Sequence, residues 1–348
     1  MTRTVDFRFV ILRDGAERCE IHPIEGSAPS IVMEDSGAIK TSLAGVFRDP
    51  GDEVDWLIDQ IRPELIIDGK AHPLGIFLPT TVHYQETETG KSVTLQAYDR
   101  GWLVQTRCAE TMPCFSAQLN YMSAVGSLLR EAGIIAIAET ATGLTLTETR
   151  EDWNVGTSNL EIVNQLLSEI NYEQLWFDQE GSAILEPIRL PTATNIDHVL
   201  DDTNIESMMF PQIDRETDIY NAPNVFLCVC SNADKGGPMT AIGENTNPQS
   251  PLSIARRGRR ITQVVRVNNI ASQQALQVYA NQLVTDSMFR GETIDVETCL
   301  LPGFGVGDIV SLRYGDIMAL CVEHSWSMAL AVGGRMHHTL ERVILNVE

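Results

Sequence analysis

The stretch that decides the fold lies between residues 243 and 310. It contains GENTNPQSPLSIARRGRRI (243–261), ASQQALQVYANQL (271–283) and PGFGVGDIV (302–310). This composition predicts a polar loop, a short strand, one helix and a glycine-rich turn into another strand. We expect all of residues 231–253 to form a loop, and loops of that length in compact domains usually carry a function. No common catalytic motif has this order of features.

Four arginines surround Gly258 in an otherwise acidic chain: Arg256, Arg257, Arg259 and Arg260. One interpretation is a patch that binds phosphate or nucleic acid. The other is a set of ion-pair donors at a subunit boundary, because the guanidinium fork pairs well with carboxylates. The abundance of acidic residues favours the second, so the sequence predicts that these four arginines contact another subunit.

The balance of charged residues limits which partners the protein can bind. The chain has 348 residues, with 47 Asp and Glu against 25 Lys and Arg, so its formal net charge is −22. Such a surface repels nucleic acid and acidic membrane faces. The excess of acidic residues has two explanations: it keeps the protein soluble, or it lines a channel wall that must not bind passing DNA. The length favours two or three domains, and no apolar run is long enough to predict a transmembrane helix.

The N-terminal half predicts strands followed by a helical module. Val5–Leu12 alternates as a strand, not as a signal peptide, and Asp68-Gly69 marks a hairpin turn. A helix is predicted to begin at Ser116, and a second one at the capping box Ser158-x-x-Glu161. A hairpin over 175–185 closes this module.

From about Asp197 the pattern returns to strands. Val225–Cys230 is a continuous apolar run, which favours a strand buried on both faces with its two cysteines on one of them. Ser272 is predicted to cap the helix that follows. The predicted closing strands are Ile294–Thr298, Ile309–Arg313, Met318–His324 and Thr339–Asn346.

Two groups of residues have side chains suited to catalysis or metal binding, but their spacing matches no known catalytic or metal site. Asp99, Glu148, Glu151 and Asp152 offer carboxylates, yet glycosidases need two at a set separation, and chance pairs are certain in so acidic a chain. His324, His337, His338 and Cys321 are close in sequence without a metal-binding spacing. We therefore expect no catalytic residues, no metal and no cofactor. The seven cysteines, odd in number and scattered, predict reduced thiols.

Longer segments resemble a known family. They are VDWLIDQIRPELIIDGKAHPLGIF with VTLQAYDRGWLV (54–77 and 93–104), WNVGTSNLEIVNQLLSEINYEQLWFDQEGSAILEP (153–187), and NTNPQSPLSIARRGRRI with GDIVSL (245–261 and 307–312). In that order they are similar to the first barrel, the α+β module and the second barrel of phage tail hub proteins. The chain thus resembles the baseplate hub family of long-tailed phages and phage-derived injection particles, which is related to the contractile-tail hub and the base of the type VI secretion spike.

The resemblance implies a β-rich α+β fold in which two similar β-barrel domains flank a small α+β module. The domains implied are 1–112, 113–196 and 197–348, with an inserted helix over 272–287. It also implies a homotrimer, whose six barrels form a ring with pseudo-sixfold symmetry. Larger relatives carry a peptidase or lysozyme module, which we do not expect in this chain.

The implied function is a structural hub that joins the hexameric tail tube to threefold tip or spike proteins and forms a channel for DNA or cargo. The implied partners are further copies of the chain, the tail tube or distal tail protein ring, a tip or spike protein and the tape-measure protein. DNA passes without specific binding. The implied location is the virion tail, assembled in the host cytoplasm. Two alternatives stay open: a cell-wall-degrading enzyme of the glycosidase type, and a receptor- or carbohydrate-binding tail module.

Overall fold

The structure is a computed structural model that describes residues 3–88, 90–189, 191–204, 208–217, 222–230, 239–267, 270, 273–289 and 292–343. The chain divides into two units that interleave along the sequence. The first comprises Met1–Ile188, Thr298–Val306 and Ser325–His337, and the second comprises Arg189–Glu297, Gly307–His324 and His338–Glu348. The three-domain division expected from the sequence stays a prediction beside these units.

The first unit is built on an antiparallel sheet. Its strands are β1 (Val5–Arg13), β2 (Ala16–Ile21), β3 (Ser30–Glu34), β4 (Thr41–Arg48), β5 (Gln60–Ile67), β6 (Lys70–Pro73), β7 (Phe77–Thr87) and β8 (Gly90–Asp99). They lie in the order β3-β4-β8-β7-β5-β1-β2, with β6 paired to β5 and residues 325–329 paired to β3. The predicted first strand is confirmed, and so is the hairpin turn at Asp68-Gly69, where both residues have positive φ.

The segment after β2 returns to the same sheet at β4. Ile24 N donates to Val46 O at 3.1 Å, and Arg48 N donates to the residue-22 carbonyl at 2.9 Å. The sheet encloses large apolar side chains, among them Phe9 and Phe47, whose rings pack edge to face with centroids 5.2 Å apart. Both rings are buried, so the sheet curves around an apolar interior.

A helical module completes the first unit. Its elements are α1 (Gly101–Thr106), α2 (Tyr121–Glu131), β9 (Ile137–Glu139), α3 (Asn159–Glu169), β10 (Trp176–Phe177) and β11 (Ala183–Leu185). The apolar faces of α2 and α3 share one core with the small sheet, in which β11 pairs with β10 antiparallel and with β9 parallel. The hairpin predicted over 175–185 is confirmed, whereas α1 is absent from the sequence prediction.

The two predicted helix starts have different outcomes. Ser158 caps α3 as predicted, because its Oγ accepts from Glu161 N at 3.2 Å. The prediction that Ser116 starts α2 is wrong. Asn120 is the cap, and its Oδ1 accepts from the backbone N–H groups two and three residues later at 2.9 and 3.4 Å. Asn caps helices as well as Ser does, so composition alone does not place this boundary.

The second unit contains further extended strands and an insertion, although residues 298–299, 325–329 and 335–337 of its strands count with the first unit. Its elements are β12 (His198–Asp201), β13 (Met209–Glu216), β14 (Val225–Cys230), β15 (Met239–Glu244), α4 (Ile254–Arg257), β16 (Thr262–Val267), α5 (Gln273–Phe289), β17 (Thr293–Cys299), β18 (Ile309–Tyr314), β19 (Ile317–Ala329) and β20 (Arg335–Val343). The strand order is β13-β17-β20-β19-β18-β12. The predicted closing strands are confirmed, except that residues 344–346 lie outside the described residues.

The insertion between β13 and β17 is a three-stranded sheet covered by α5. Its central strand β14 pairs antiparallel with β15 and parallel with β16. Cys228 and Cys230 share the helix-facing side as predicted, and both are fully buried against Ala280 of α5. Leu227 and Val229 on the opposite side are only half-buried, so burial on both faces was a wrong expectation there. Within the described ranges, no helix combines the length and apolar character needed to cross a membrane.

The prediction that all of residues 231–253 form a loop is wrong, because Met239–Glu244 is β15. On the side that faces α5 this strand carries Met239, Ala241 and Gly243, and the two small residues interrupt the run of large apolar side chains that marks a strand. Residues 231–238 lie outside the described residues, as does the predicted cap Ser272.

Substituting Gly243 tests how closely α5 packs on this sheet. A Cβ at this position would clash with the Ala280 carbonyl and lie 2.7 Å from Val284 Cγ2. We expect Gly243→Ala to lower the free energy of unfolding by about 2 kcal/mol, because α5 must move to relieve the clash. Urea denaturation measures this loss.

The matched control is Gly143→Ala, where an added Cβ meets no atom within 4 Å. It should shift the free energy of unfolding by less than about 0.5 kcal/mol. Equal effects at the two positions would contradict the close approach of α5.

Candidate subunit interface

The arginine cluster lies on a short helix and the turn that ends it. Ser253 caps α4, since its Oγ accepts from Arg256 N at 3.3 Å. Gly258 ends the helix with φ 64°, and its N–H donates to Ile254 O at 2.9 Å. Glycine adopts this left-handed conformation without strain. The chain therefore turns at Gly258, and Arg259 and the residue after it lead on towards β16.

A buried amide holds the segment that carries α4. Nδ2 of Asn224 donates to the carbonyls of Leu252 (3.2 Å) and Arg259 (3.0 Å), and its Oδ1 accepts from Ile261 N (2.7 Å). Asn224 is fully buried at the start of β14. Because an unpaired buried polar group is costly, these three bonds strongly favour one conformation of the segment.

The sequence reasoning missed this network. Asn245 extends it by donating from Nδ2 to Ser250 Oγ at 2.9 Å, and both residues are fully buried. A signal for this part was present, because Asn-Thr-Asn-Pro is typical of turns in which side chains bind the local backbone. No local pattern connects Asn224 with partners about thirty residues later, and that connection needs the folded sheet.

The structure separates the four predicted arginines into two pairs. Arg257 donates to Ala222 O at 2.6 Å, and Arg260 forms an ion pair with Glu244 at 2.5 Å. The hydrogen bond between them raises the pKa of Arg260 and lowers that of the Glu244 carboxyl. Arg256 and Arg259 are exposed, and neither forms an ion pair with any described residue. Two arginines thus anchor the turn, while the other two present their guanidinium groups to solvent.

Asp99 is a buried structural carboxylate. Its Oδ2 accepts from Thr41 N at 2.9 Å and its Oδ1 from Gly101 N at 2.7 Å, which ties the end of β8 to β4 and to the start of α1. Burial raises the pKa of Asp99 to about 6, although these hydrogen bonds oppose the shift.

The other candidate carboxylates have separate surroundings. Asp152 forms an ion pair with Arg150, whose guanidinium also contacts Glu169 at 2.7 Å. Glu151 accepts a hydrogen bond from the Cys114 thiol at 3.3 Å, and Glu148 is exposed. Asp152 and Glu151 are thus exposed and have different partners.

A cavity of about 30 Å³ adjoins Asp99 in the first unit. It is lined in part by Trp176 and Trp326, whose buried indole N–H groups have no hydrogen-bond partner in the part of the chain that the structure describes. A space of this size accommodates a water molecule or two but not a sugar ring. It therefore gives no support to a glycosidase site at Asp99.

The histidines near the C-terminus are separated by their strand. The ring of His338 is fully buried, with Nδ1 2.9 Å from Glu323 Oε2, whereas His337 is exposed. Burial raises the pKa of Glu323 and lowers that of His338 to about 3, because each charged form loses its hydration inside the protein. Among the residues with described positions, no three His, Cys, Asp or Glu side chains gather as a metal site requires.

Comparison with known proteins identifies solved structures of similar fold. No protein-family model matches the chain, and no curated protein sequence matches it. The tail protein from Neisseria meningitidis MC58 is similar in structure, with a TM-score of 0.69, 14% identity and 96% of each chain covered. The 43 kDa tail protein of prophage MuSo2 from Shewanella oneidensis matches with a TM-score of 0.68 and 9% identity, covering 97% of this chain and 98% of that one.

A third similar structure is the E. coli c3393 protein, a component of the type VI secretion system described as structurally similar to the T4 bacteriophage tail proteins gp27 and gp5. Its TM-score is 0.50 at 9% identity, over 99% of this chain and 75% of that one. The predicted resemblance to phage tail and type VI spike-related proteins is thereby confirmed as a likeness of fold. The predicted β-rich architecture is confirmed with it, and the extended sheet is mostly antiparallel. The interface role of the arginines stays a prediction.

Removing the Asn224 amide tests whether it fixes the arginine-bearing segment. We expect Asn224→Ala to lower the free energy of unfolding by about 2 kcal/mol, because the buried Leu252 carbonyl and the partly buried Arg259 carbonyl and Ile261 N–H lose their partner. Limited proteolysis should also cleave within residues 245–261 faster than in the wild type. Asn281→Ala on the exposed side of α5 is the control and should leave both readouts unchanged. Wild-type behaviour of Asn224→Ala would contradict the assigned role.

The raised pKa of Asp99 predicts a pH dependence of stability. The Asp99 carboxyl holds its proton more tightly in the folded state than in the unfolded state, so its protonation adds to the free energy of unfolding. This contribution is complete below about pH 4 and is lost as the pH rises through about 6. Between pH 4.5 and 7.5 the wild type should lose about 2 kcal/mol more stability than Asp99→Asn. Urea denaturation of both proteins at the two pH values measures the difference, and parallel pH profiles would contradict it.

Proposed function

We propose that the chain is a structural, non-enzymatic hub of a bacteriophage tail or of a phage-derived injection particle. The observation that carries this proposal is the extent of the fold likeness, which runs over nearly the whole of this chain and of two tail proteins. A match confined to one module would fit many functions, whereas a match over both units supports a shared place in a tail.

Two similar β-barrels are part of the proposal. In the first unit, the order β4-β8-β7-β5-β1-β2 is followed by hydrogen bonds from the segment after β2 back to β4, which is the pairing that a closed barrel requires. In the second unit, six strands follow in the order β13-β17-β20-β19-β18-β12. Three copies of such a chain would present six barrels, so a homotrimer can match a hexameric tube with pseudo-sixfold symmetry.

The proposed hub joins the tail tube, or a distal tail protein ring, to a threefold tip or spike protein. The tape-measure protein is a further proposed partner. The net charge of −22 fits a channel through which DNA or cargo passes without binding. We place the chain in the virion tail, assembled in the host cytoplasm. Arg256, Arg257, Arg259 and Arg260 are proposed to lie at a subunit contact, with Arg256 and Arg259 making the intermolecular ion pairs because they are exposed.

Electron microscopy of native particles that carry an epitope-tagged copy of this chain tests the proposal. We expect antibody label and density for the chain at the distal end of the tail tube, in a ring of three copies. The same tag on a head protein is the control for non-specific label. Density along the tube wall, or absence from purified particles, would overturn the hub assignment.

A further inference from the structure

An exposed apolar tip stands out on the first unit. It lies on residues 49–59, the Leu57 loop, which connects β4 to β5. Leu57 is 94% exposed and Ile58 is 59% exposed, while Val54 below them is buried. Two adjacent aliphatic side chains are exposed to water, and a partner that covers them lowers the free energy of the complex.

Hydrogen bonds within the chain fix the conformation of the Leu57 loop. The guanidinium of Arg13 donates two hydrogen bonds, of 2.6 and 2.7 Å, to the carboxylate of the buried Asp59. Asp55 N donates to Asp59 Oδ2 at 2.8 Å, and the side chain and carbonyl of Asp55 accept from Leu57 N and Ile58 N at 3.1 Å each. A preorganised loop loses little conformational entropy on binding, so its exposed tip suits an interface.

The rim of the Leu57 loop is acidic. Asp52, Glu53 and Asp55 are exposed, and none of them forms an ion pair with a described residue. The side chains of Asp52 and Glu53 also take no part in the hydrogen bonds that fix the loop. The surface therefore combines an apolar centre with a mainly acidic edge, on which the exposed Arg18 donates from Nε to the Glu53 carbonyl at 2.7 Å. An apolar centre with a polar edge is the anatomy of many protein interfaces.

The same chain carries a matching surface of opposite charge. Arg256, Arg259 and Arg260 are the exposed members of its densest basic cluster, and Arg260 is already paired with Glu244. Copies of a chain with net charge −22 repel each other unless opposite charges meet locally. We infer that the Leu57 loop of one copy docks against the arginine cluster of a second copy, with Asp52 and Glu53 facing Arg256 and Arg259.

Such a contact joins two different surfaces, so each copy offers one surface to each neighbour. A head-to-tail contact of this kind closes into a ring when the rotation between copies is right. The inference rests on the proposed function, because it supplies the pairing by which the ring of copies would close.

Charge exchange on the full chain tests the pairing. Arg256→Glu with Arg259→Glu should weaken self-association at least about tenfold, and Asp52→Arg with Glu53→Arg should do the same, because each places like charges at the contact. All four changes in one chain restore opposite charges and should recover most of the association. Sedimentation velocity over a concentration series measures association, and urea denaturation checks that every variant is folded.

Two controls separate this contact from general charge and stability effects. Lys70→Glu with Arg130→Glu changes the net charge by the same amount as the arginine reversal, at exposed residues elsewhere, and should leave association nearly unchanged. Leu57→Ser should weaken association about tenfold without changing the unfolding midpoint, since the side chain is almost wholly in water.

The outcomes distinguish the pairing from the wider proposal. Recovery by the four changes together supports the pairing. If both double reversals weaken association and the combination is no better, the pairing is wrong, yet the arginines remain at a subunit contact. An arginine reversal without effect, or a wild-type chain that stays monomeric at its highest soluble concentration, overturns the inference. The hub assignment stands or falls separately on the position of the chain in the particle.

Discussion

The insertion of the second unit depends on one buried amide. Because β14 is parallel to β16, the chain between β15 and β16 must cross the end of β14, and that crossing contains α4 and the arginines. Asn224 lies beside this crossing segment, and its side chain hydrogen-bonds two carbonyls and one N–H of the segment's backbone. Without it these groups would be buried and unpaired, or the crossing would open to water. A single side chain therefore couples the position of a charged surface to the order of a sheet.

Electrostatics sets the second constraint. An excess of acidic residues opposes association of the chain with itself, and surface ion pairs add little stability one at a time. Favourable contacts between copies then need a concentration of positive charge on a fixed support. The turn around Gly258 provides it: Arg257 donates to the Ala222 carbonyl, Arg260 pairs with Glu244 at the surface, and Arg256 and Arg259 are exposed. The proposed subunit contact would use these last two arginines.

Much of the fold could be predicted from local patterns. The alternation of Val5–Leu12, the Asp68-Gly69 turn and the Ser158 cap each depend on neighbours within a few residues, and each is confirmed. The failures have long-range causes. β15 is hidden because α5 packs so closely that only small side chains fit at Ala241 and Gly243. The arginine cluster is visible in the sequence, but the division of its members depends on Ala222 and Glu244, which come from other turns and strands.

The pairing of β3 with residues 325–329 has a consequence for the order of folding. These strands belong to the same unit, yet they are far apart in the sequence. The outer edge of β3 therefore stays open on the ribosome until residues 325–329 have been made, and contacts of such long sequence separation form slowly. An open edge invites pairing with other chains. The charged residues Glu34, which ends β3, and Asp35, which follows it, would then act as early protection against aggregation during synthesis.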